Sequence, residues 1–370
     1  MHLKDPWTKK LLRQAYTAVC GARVLCNLAV PRRGKLAVYY GGARLGDFGG
    51  PLVKVKRLRE YFPEVNWGYN LVYLLSNTPY LPGMALDILK RSGVPMVHNQ
   101  NGVFYKAWYA GDWAAQNRRM ARAYHAADRV FYQSEFCKRA ADRFLGARSG
   151  QGEILYNAVD TRRFTPRADT GTGNPFIFLA TGKLDDHLYY RIDCILDGLA
   201  MARRRGLDAQ LIVAGKLSPS VRERAVRQAD ALGLGKAVSF PGPYSQLEAP
   251  ALYRAADAYL STTHQDACPN AVLEALASGL PVIYAGTGGV PELVGTEAGV
   301  ALGCSENFET PQVPSAGSLA DAMARVADCR GGMAVAARKR ALERFDMEPW
   351  IERHRAVFTQ LVQDHRTVRN

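Results

Sequence analysis

No long uncharged apolar run occurs in this sequence, which excludes a membrane-spanning helix. The most apolar stretch, residues 15–30, is interrupted by Arg23 and Asn27, whereas a spanning helix needs roughly 18 or more apolar residues in succession. The stretch is also a poor secretion signal, because Arg23 divides its apolar part and the basic pair Arg32-Arg33 follows it. The sequence therefore predicts a cytoplasmic protein.

The sequence also lacks clustered metal ligands and paired cysteines. Its seven cysteines are odd in number and scattered, and none forms a Cys-x-x-Cys pair. The seven histidines are equally dispersed, and no His-x-x-x-His or Asp-x-Asp pattern offers a cation two ligands from one short segment. We therefore expect no disulfide framework, no bound metal and no cofactor.

Disorder is excluded as well, because 48% of the residues are hydrophobic and 22% are charged, with no low-complexity tract. The length of 370 residues exceeds what one ordinary core needs. Two globular domains are the expectation.

The net charge of +14 is unevenly distributed along the chain. Residues 1–170 contain 27 Lys and Arg against 12 Asp and Glu, whereas the remainder contains 21 against 22. A basic half suggests an anionic partner, either nucleic acid or anionic lipid headgroups, although such arginines also decorate ordinary solvated surfaces. No helix-turn-helix, zinc finger or aromatic-basic strand motif occurs in this half, so we expect no nucleic acid.

Residues 1–34 have the pattern of a basic amphipathic helix. Apolar residues recur at helical spacing among seven Lys and Arg and a single acid, Asp5. Two interpretations are open: the helix lies on a membrane surface, or its apolar stripe packs onto its own domain, which is the commoner use of such a stripe. The stripe comprises Trp7, Leu11, Leu12, Ala15, Val19 and Ala22.

From Lys35 onward, short β-rich runs alternate with helical segments, which is typical of βαβ units and a parallel sheet. The polar segment 166–174 interrupts the alternation and reads as a linker between two α/β halves. Strands are predicted at 35–40, 70–75, 96–98 and 129–133, and, beyond the linker, at 176–180, 210–214, 238–240, 258–261 and 281–285.

Ligands of parallel sheets bind beyond the carboxyl ends of the strands, so the loops after the strands carry the candidate residues. Lys183 and Arg191 follow the strand 176–180 and could hold a diphosphate, although each alone could be an ordinary exposed cation. Lys216, after the next strand, is a further candidate.

A second loop leads into a helix beginning near Asn270. Asp266 and Glu274 flank this helix start, whose free N–H groups suit a phosphate, while carboxylates suit sugar hydroxyls. Acids at a helix start also serve as caps, and two carboxylates flanking one bond also serve glycosidases. A third loop, 286–292, is rich in glycine but lacks the Gly-x-Gly-x-x-Gly dinucleotide pattern.

Together these segments resemble glycosyltransferase family 4, whose members are retaining enzymes of the GT-B fold. The resemblance is densest in 238–295, with Phe240-x-Gly242, the acid-x7-Glu motif ending at Glu274, and Gly288-Gly289 before Glu292. The segment 157–164 and the glycine loop 46–51 are similar to the family's linker entry and N-terminal loop.

The resemblance implies two Rossmann-like, doubly wound parallel-sheet domains facing a cleft. The expected division is a basic extension at 1–34, an acceptor domain at 35–165, a linker at 166–174, a donor domain at 175–346, and a C-terminal helix at 347–370 that crosses back to the first domain.

The resemblance also implies roles for individual residues. Glu274 would hold the nucleotide ribose, Asp266 the donor sugar, and Tyr244 the base. Asp266 stands where the family usually has Glu, and Asn101 stands where it usually has His, with His98 nearby as either a substitute or a structural residue. The implied catalytic residues are Asp266, Lys183, Arg191 and Asn101, and the donor-binding residues are Glu274, Gly49, Gly50, Tyr244, Asn270, Ala267 and Cys268.

The function implied is transfer of a sugar from a nucleotide diphosphate sugar to a hydroxyl acceptor, without a metal. The basic first half suggests a glycan or lipid-linked acceptor, as in surface polysaccharide or glycolipid assembly. It also suggests peripheral binding to the anionic inner face of the cell membrane. The alternatives are a phosphorylase, an epimerase, or a catalytically silent protein that binds sugar nucleotides. The oligomeric state has no signature in the sequence.

Overall fold

Each half of the chain carries its own parallel β-sheet. The computed structural model describes residues 7–43, 50–76, 80–168 and 175–367. Among these, one unit takes the residues up to Tyr156 with 308–310 and those from Glu348 onward, and a second takes 157–307 and 311–347. The α/β class with two parallel sheets is confirmed.

In the first unit the sheet has five strands in the order β1-β2-β3-β4-β5, all pairs being parallel. All five residues of β2 are buried, as are all five of β3, which is the pattern of a sheet covered on both faces. The strands are β1 Val38–Tyr39, β2 Leu71–Leu75, β3 Met96–Gln100, β4 Arg129–Tyr132 and β5 Gln151–Ile154, and the helices are α1 Trp7–Asn27, α2 Gly50–Tyr61, α3 Gly83–Arg91, α4 Trp113–Ala126, α5 Glu135–Leu145 and, beginning in the second unit, α12 Met347–Thr367.

Helix α1 packs against α3 with its apolar stripe facing away from the first unit. More commonly such a stripe packs onto its own domain. The Tyr16 hydroxyl donates to the Gly42 carbonyl at 2.7 Å, and Asn27 Oδ1 accepts from the Gly68 N–H at 2.7 Å. Cys20 and Val24 are buried between these two anchors. The interpretation in which the Trp7 stripe packs onto its own domain is therefore wrong, because Tyr16, Cys20 and Asn27 make the contacts from the opposite face of the helix.

In the second unit the strand order is β11-β10-β9-β6-β7-β8, again with all pairs parallel. From β6 the chain adds β7 and β8 on one side, and then crosses back to add β9, β10 and β11 on the other. The sheet therefore reverses its strand order between β6 and β9. The strands are β6 Phe176–Leu184, β7 Ala209–Leu217, β8 Val238–Gly242, β9 Ala258–Ser261, β10 Val282–Ala285 and β11 Gly299–Leu302, and the helices are α6 Tyr190–Arg204, α7 Pro219–Ala231, α8 Ala249–Arg254, α9 Asn270–Ala277, α10 Val290–Val294 and α11 Ala316–Arg344.

The sequence patterns left α11 unassigned, although its 29 residues make it the longest helix described. Its apolar positions are largely alanines and the pair Gly331-Gly332 interrupts them, so the helical period is weak. The helix packs against α6, where a Cβ at Gly198 would stand 2.6 Å from the Leu319 Cβ. The absence of a side chain at Gly198 is therefore what lets the two helices approach.

No helix among the described residues combines the length and apolar character needed to cross a membrane.

Candidate functional site

The site in the second unit is built at the point where its sheet reverses strand order, between β6 and β9. Parallel sheets bind ligands at such a reversal, beyond the carboxyl ends of the strands. The loop after β9 is hydrogen-bonded to the start of α6, because Thr262 Oγ1 donates to the Arg191 carbonyl at 2.9 Å and the His264 N–H donates to the Tyr190 hydroxyl at 3.2 Å. Two of the predicted loops are therefore joined into one structure.

Three cations lie at this end of the sheet. Lys183 and Lys216 are exposed partners in the register of β6 and β7, so their side chains leave the same face of the sheet. Lys183 and Lys216 lie on strands that run to Leu184 and Leu217, which corrects the prediction that both strands end several residues earlier. The continuation rests on the close pairing of Gly182 with Gly215, where a Cβ at Gly215 would stand 2.0 Å from the Gly182 carbonyl oxygen.

Arg191 comes from the first turn of α6 and turns back over β6. Its terminal nitrogens stand 3.5 Å from where a Cβ of Gly182 would be. Its Nε is buried without a hydrogen-bond partner among the described residues. A buried guanidinium N–H of this kind is available to an anionic ligand.

Asp266 lies beside Arg191 in a turn of unusual backbone. The residue before it, Gln265, has φ of 51°, which is the left-handed region that most side chains avoid. Asp266 Oδ1 accepts the Cys268 N–H at 3.2 Å. Burial raises the pKa of Asp266, and the nearby Arg191 and the N–H groups of Ala267 and Cys268 oppose this rise.

Ala267 and Cys268 therefore hold the Asp266 carboxylate with their N–H groups. The remaining polar atoms of Cys268 bind Asn157, whose N–H lies 3.3 Å from Sγ and whose Nδ2 lies 2.8 Å from the carbonyl oxygen. Ala267 and Cys268 therefore position Asp266. The free N–H groups at the start of the following helix α9 are available to bind an anion.

The glycine loop after β10 supports this turn through its backbone. Gly289 donates its N–H to the Asp266 carbonyl at 2.8 Å. Gly288 has φ of 76°, and a Cβ there would stand 2.7 Å from both the Asp266 carbonyl oxygen and the Gln265 Cα. Glycine at 288 is therefore required by both the conformation and the contact.

Glu274 is buried on α9, one turn after Asn270. The Tyr253 hydroxyl donates to Glu274 Oε2 at 3.0 Å. Tyr244, which follows β8, is half-buried near the same group; burial raises its pKa, and a hydrogen bond to Thr181 opposes this. The Oδ1 atom of Asn270 is buried with no hydrogen-bond partner in the described part of the chain. Helical spacing places Asn270 and Glu274 on one face of α9.

Several polar residues of this site were missed by sequence reasoning. Thr181 Oγ1 and the Tyr259 hydroxyl lie 2.9 Å apart, and the Tyr253 and Tyr259 rings stack with their centroids 5.8 Å apart. The Thr287 hydroxyl is buried and has no hydrogen-bond partner within the described ranges. The available signal was that Thr181 directly follows the predicted strand 176–180 and that Thr287 follows β10, because ligands of parallel sheets bind at this end of the strands.

In the first unit, Asn101 follows the carboxyl end of β3 and belongs to a polar network. Its Oδ1 accepts from Gln133 Nε2 at 2.7 Å and from the Asn99 amide. Asn99 in turn accepts from the buried Lys54 Nζ at 2.7 Å. Asn101 Nδ2 is buried and has no hydrogen-bond partner among the residues that the structure describes. Sequence reasoning named neither Lys54 nor the two amide partners.

His98 is fully buried inside β3, where its Nε2 lies 2.9 Å from Gln100 Oε1. Burial lowers the pKa of His98 to about 4, so the ring is neutral. This placement favours a structural role over contact with a substrate. Of the two glycines that the resemblance places among the donor-binding residues, Gly50 begins α2, and Gly49 lies outside the described residues.

No group of three or more His, Cys, Asp or Glu side chains in the described ranges is arranged to hold a metal ion.

Most of the chain shares its fold with solved glycosyltransferase structures. HepE from Anabaena, solved with UDP, superimposes with a TM-score of 0.64 at 19% identity, over 84% of this chain and 82% of that one. Sucrose-phosphate synthase from Thermosynechococcus elongatus gives 0.63 at 20% identity, over 87% and 83%.

Curated relatives share sequence over part of their length. The D-inositol 3-phosphate glycosyltransferase of Actinosynnema mirum is 29% identical over 227 residues, which are 55% of this chain and 54% of that protein. The protein of the same name from Mycolicibacterium gilvum is 26% identical over 215 residues, which are 55% and 48%. This chain spans about half the length of the curated relatives it matches.

Two family models match consecutive parts of the chain. The model described as "Glycosyltransferase Family 4" matches residues 20–163, and the one described as "Glycosyl transferases group 1" matches residues 175–328. The two ranges together cover well over half of the 370 residues. The resemblance read from the sequence is therefore confirmed: the chain belongs to glycosyltransferase family 4 and has the GT-B fold.

Proposed function

We propose that this protein transfers a sugar from a nucleotide diphosphate sugar to a hydroxyl acceptor with retention at the anomeric carbon. The observation that carries the proposal is the grouping at the strand reversal of the second unit. There Arg191, with its buried unbonded Nε, lies beside Asp266 and the N-terminus of α9. A cation, a helix start and a carboxylate together suit a ligand that has both phosphates and hydroxyls.

The leaving group defines what the cations do. As the glycosidic bond breaks, negative charge develops on the β-phosphate, and donors already in place stabilise that charge without rearranging. Arg191 and Lys183 supply positive charge, and the first N–H groups of α9 supply oriented donors. In this proposal these groups replace a metal ion, so turnover does not depend on one.

The carboxylates and aromatic residues orient the donor. Glu274, buried and hydrogen-bonded by Tyr253, accepts from the ribose hydroxyls, and half-buried Tyr244 contacts the base. Asp266 accepts from hydroxyls of the transferred sugar. The raised pKa of Asp266 matters here, because the carboxylate is an acceptor at both oxygens only when it is ionised.

The acceptor is proposed from the relatives and the charge of the first half. The curated relatives are named D-inositol 3-phosphate glycosyltransferases, which makes an inositol phosphate the first acceptor to test. The excess of Lys and Arg in residues 1–170 favours an acceptor at an anionic membrane face, as in glycolipid or surface polysaccharide assembly. Asn101, whose Nδ2 is buried with no hydrogen-bond partner among the described residues, is the proposed catalytic residue of the first unit.

The test is turnover of nucleotide diphosphate sugars in the presence and absence of an acceptor. UDP-glucose with an inositol phosphate is the first pair, because HepE, which shares the fold, was solved with UDP. NMR of the product reports its anomeric configuration, and the proposal expects the configuration of the donor. Glu274→Gln is expected to abolish turnover, whereas Glu297→Gln, an exposed glutamate of the same unit, leaves it unchanged.

Other outcomes separate the alternatives. Inverted product contradicts the retaining assignment. Donor consumption that needs free phosphate identifies a phosphorylase, and isomerised donor identifies an epimerase. Nucleotide binding with no turnover for any donor and acceptor pair identifies a silent binding protein.

A further inference from the structure

Helix α1 turns its apolar face away from the first unit. On a helix of about 100° per residue, positions 7, 11, 12, 15, 18, 19, 22 and 25 fall within less than half of the circumference. All eight are apolar and exposed. The large side chains among them are Trp7, Leu11, Leu12, Val19 and Leu25, with 72%, 51%, 68%, 56% and 47% of their surface exposed.

This orientation is set by specific contacts on the other face. The Tyr16 hydroxyl binds the Gly42 carbonyl, and the Tyr16 and Tyr80 rings meet edge to face at 5.1 Å. The Cys20 sulfur lies 2.5 Å from where a Cβ of Gly42 would be, so no larger side chain fits between them. Rotating α1 to bury its apolar face would break both contacts and the Asn27 bond to Gly68.

A contiguous apolar surface of this kind is rare on a protein without a partner for it. The surface continues onto α3, where Met84 is 67% exposed two residues after Pro82, the residue nearest to Gly21 of α1. A partner must therefore accept a nearly flat strip of Trp, Leu and Val side chains about one helix long.

Positive charge lies beside this strip. Helix α3 contacts both α1 and α4. Helix α4 exposes Arg118, Arg119 and Arg122, and none of these three has a hydrogen bond or ion pair with any described residue. The end of α3 exposes Lys90 and Arg91 as well. Apolar side chains flanked by unpaired arginines complement the interface of an anionic bilayer, where acyl chains lie beneath negative headgroups.

We infer that α1 lies in the plane of an anionic membrane with Trp7, Leu11, Leu12, Val19 and Leu25 inserted among the lipids, while the arginines of α4 contact the headgroups. The inference identifies the surface through which the proposed enzyme meets its membrane, and it rests on the proposed function only for the location of the acceptor. Embedding one side of a helix does not require the length of a spanning segment.

The experiment is co-sedimentation of the full chain with vesicles of phosphatidylcholine alone and with added phosphatidylglycerol. Binding is expected to the anionic vesicles and to weaken as salt is added. Leu12→Glu is expected to reduce binding at least tenfold, whereas Val335→Glu, an apolar residue 71% exposed on α11 in the second unit, leaves it unchanged. The triple change Arg118→Gln, Arg119→Gln, Arg122→Gln is expected to weaken anionic binding by about fivefold per charge.

Insertion is read out separately by quenching of tryptophan fluorescence with brominated lipids. The expected quenching is reduced in Trp7→Phe. Equal binding of Leu12→Glu and Val335→Glu, or no binding of the wild type to anionic vesicles, overturns the inference. So does a dimer in light scattering that Leu12→Glu converts to monomer without any vesicle binding, because the partner is then a second copy of the chain.

Nucleotide binding and turnover of a water-soluble acceptor are measured on the same variants. If vesicle binding fails while turnover is intact, the membrane inference falls and the proposed function stands. If no donor is turned over while Leu12→Glu still abolishes vesicle binding, the proposed function falls and the membrane surface stands.

Discussion

The Tyr253 hydroxyl donates a hydrogen bond of 3.0 Å to Oε2 of Glu274, and both side chains are buried. A buried carboxylate is held in one orientation only when its oxygens are hydrogen-bonded. Tyr253 therefore positions the residue that, in the proposed function, binds the ribose of the donor.

Removing that hydroxyl is expected to weaken donor binding without abolishing it. Tyr253→Phe removes a hydrogen bond to a charged group, a change of about 1.5–3 kcal/mol, part of which appears as a higher Kd for the nucleotide. Tyr284→Phe is the control, since its hydroxyl bonds the Gly295 carbonyl in the same unit. Calorimetric titration with the nucleotide measures the affinity of both variants. Equal affinities would show that Tyr253 does not contribute to donor binding.

Gly288→Ala is expected to disturb the turn that holds Asp266. The new Cβ would stand 2.7 Å from the Asp266 carbonyl oxygen at φ of 76°, so the loss of stability is about 1–3 kcal/mol, together with lower turnover. Gly303→Ala serves as the comparison, because nothing lies within 4 Å of its Cβ position. Denaturant unfolding of both variants provides the measurement; indistinguishable midpoints would show that the glycine loop does not support the site.

Asp266→Asn is expected to stabilise the protein at neutral pH while removing activity. Burial raises the folded-state pKa of Asp266 above its ordinary value of 3.8, so its contribution to stability is present below that value and is lost as the pH rises through the folded pKa. At pH 7 the ionised Asp266 carboxylate therefore lowers the free energy of unfolding. The uncharged amide of Asp266→Asn removes this loss of stability.

Melting temperatures of Asp266→Asn and the wild type should accordingly diverge as the pH rises from about 3.8 to 7. Asp328→Asn, on the exposed side of α11, controls for loss of a surface charge. A lower melting temperature for Asp266→Asn at pH 7 is the contrary result.

Lys183→Gln is expected to weaken binding of the nucleoside diphosphate by roughly tenfold, as for one lost hydrogen bond between charged groups. The loss should shrink at high salt, because the lysine is exposed. Lys236→Gln removes an exposed charge elsewhere in the same unit and should leave the affinity unchanged. Equal effects of the two changes would indicate only a general influence of net charge.

The burial of His98 predicts that the protein loses stability at acidic pH. Because burial lowers the pKa of His98 from 6.5 to about 4, the neutral ring stabilises the fold above the unfolded value, and this is lost as the pH falls from about 6.5 toward 4. His98→Gln should therefore flatten the fall of melting temperature across that window. An unchanged slope would place the protonation of His98 outside the folding equilibrium.

In the second unit the sequence predicted the positions of β6 to β10 and the helix start beside the candidate site, but it predicted neither β11 nor α11. Its strands are apolar runs bounded by loops, and the spacing of Asp266 and Glu274 identifies a helix start after a strand. The alternation of apolar residues did not predict the full lengths of β6 and β7. The last residues of both strands include Gly and Lys, which are uncommon in strands.

Structural features that depend on contacts between residues distant in sequence could not be predicted. The side of α1 that faces the protein is decided by Tyr16, Cys20 and Asn27, which bind residues on other segments. Likewise, no local pattern indicates that Gly288 supports Gln265 and Asp266, because the contact joins the loops after β9 and β10.

Thermal unfolding against UDP, GDP, ADP and dTDP, each with magnesium and with EDTA, measures whether the second unit binds a nucleoside diphosphate without a metal ion. A ligand that binds only the folded state raises the melting temperature. We expect one of these nucleotides to raise the melting temperature, and we expect this rise to survive EDTA and to disappear in Glu274→Ala. No rise for any nucleotide, or an equal rise in wild type and Glu274→Ala, would contradict a metal-independent donor site at the strand reversal.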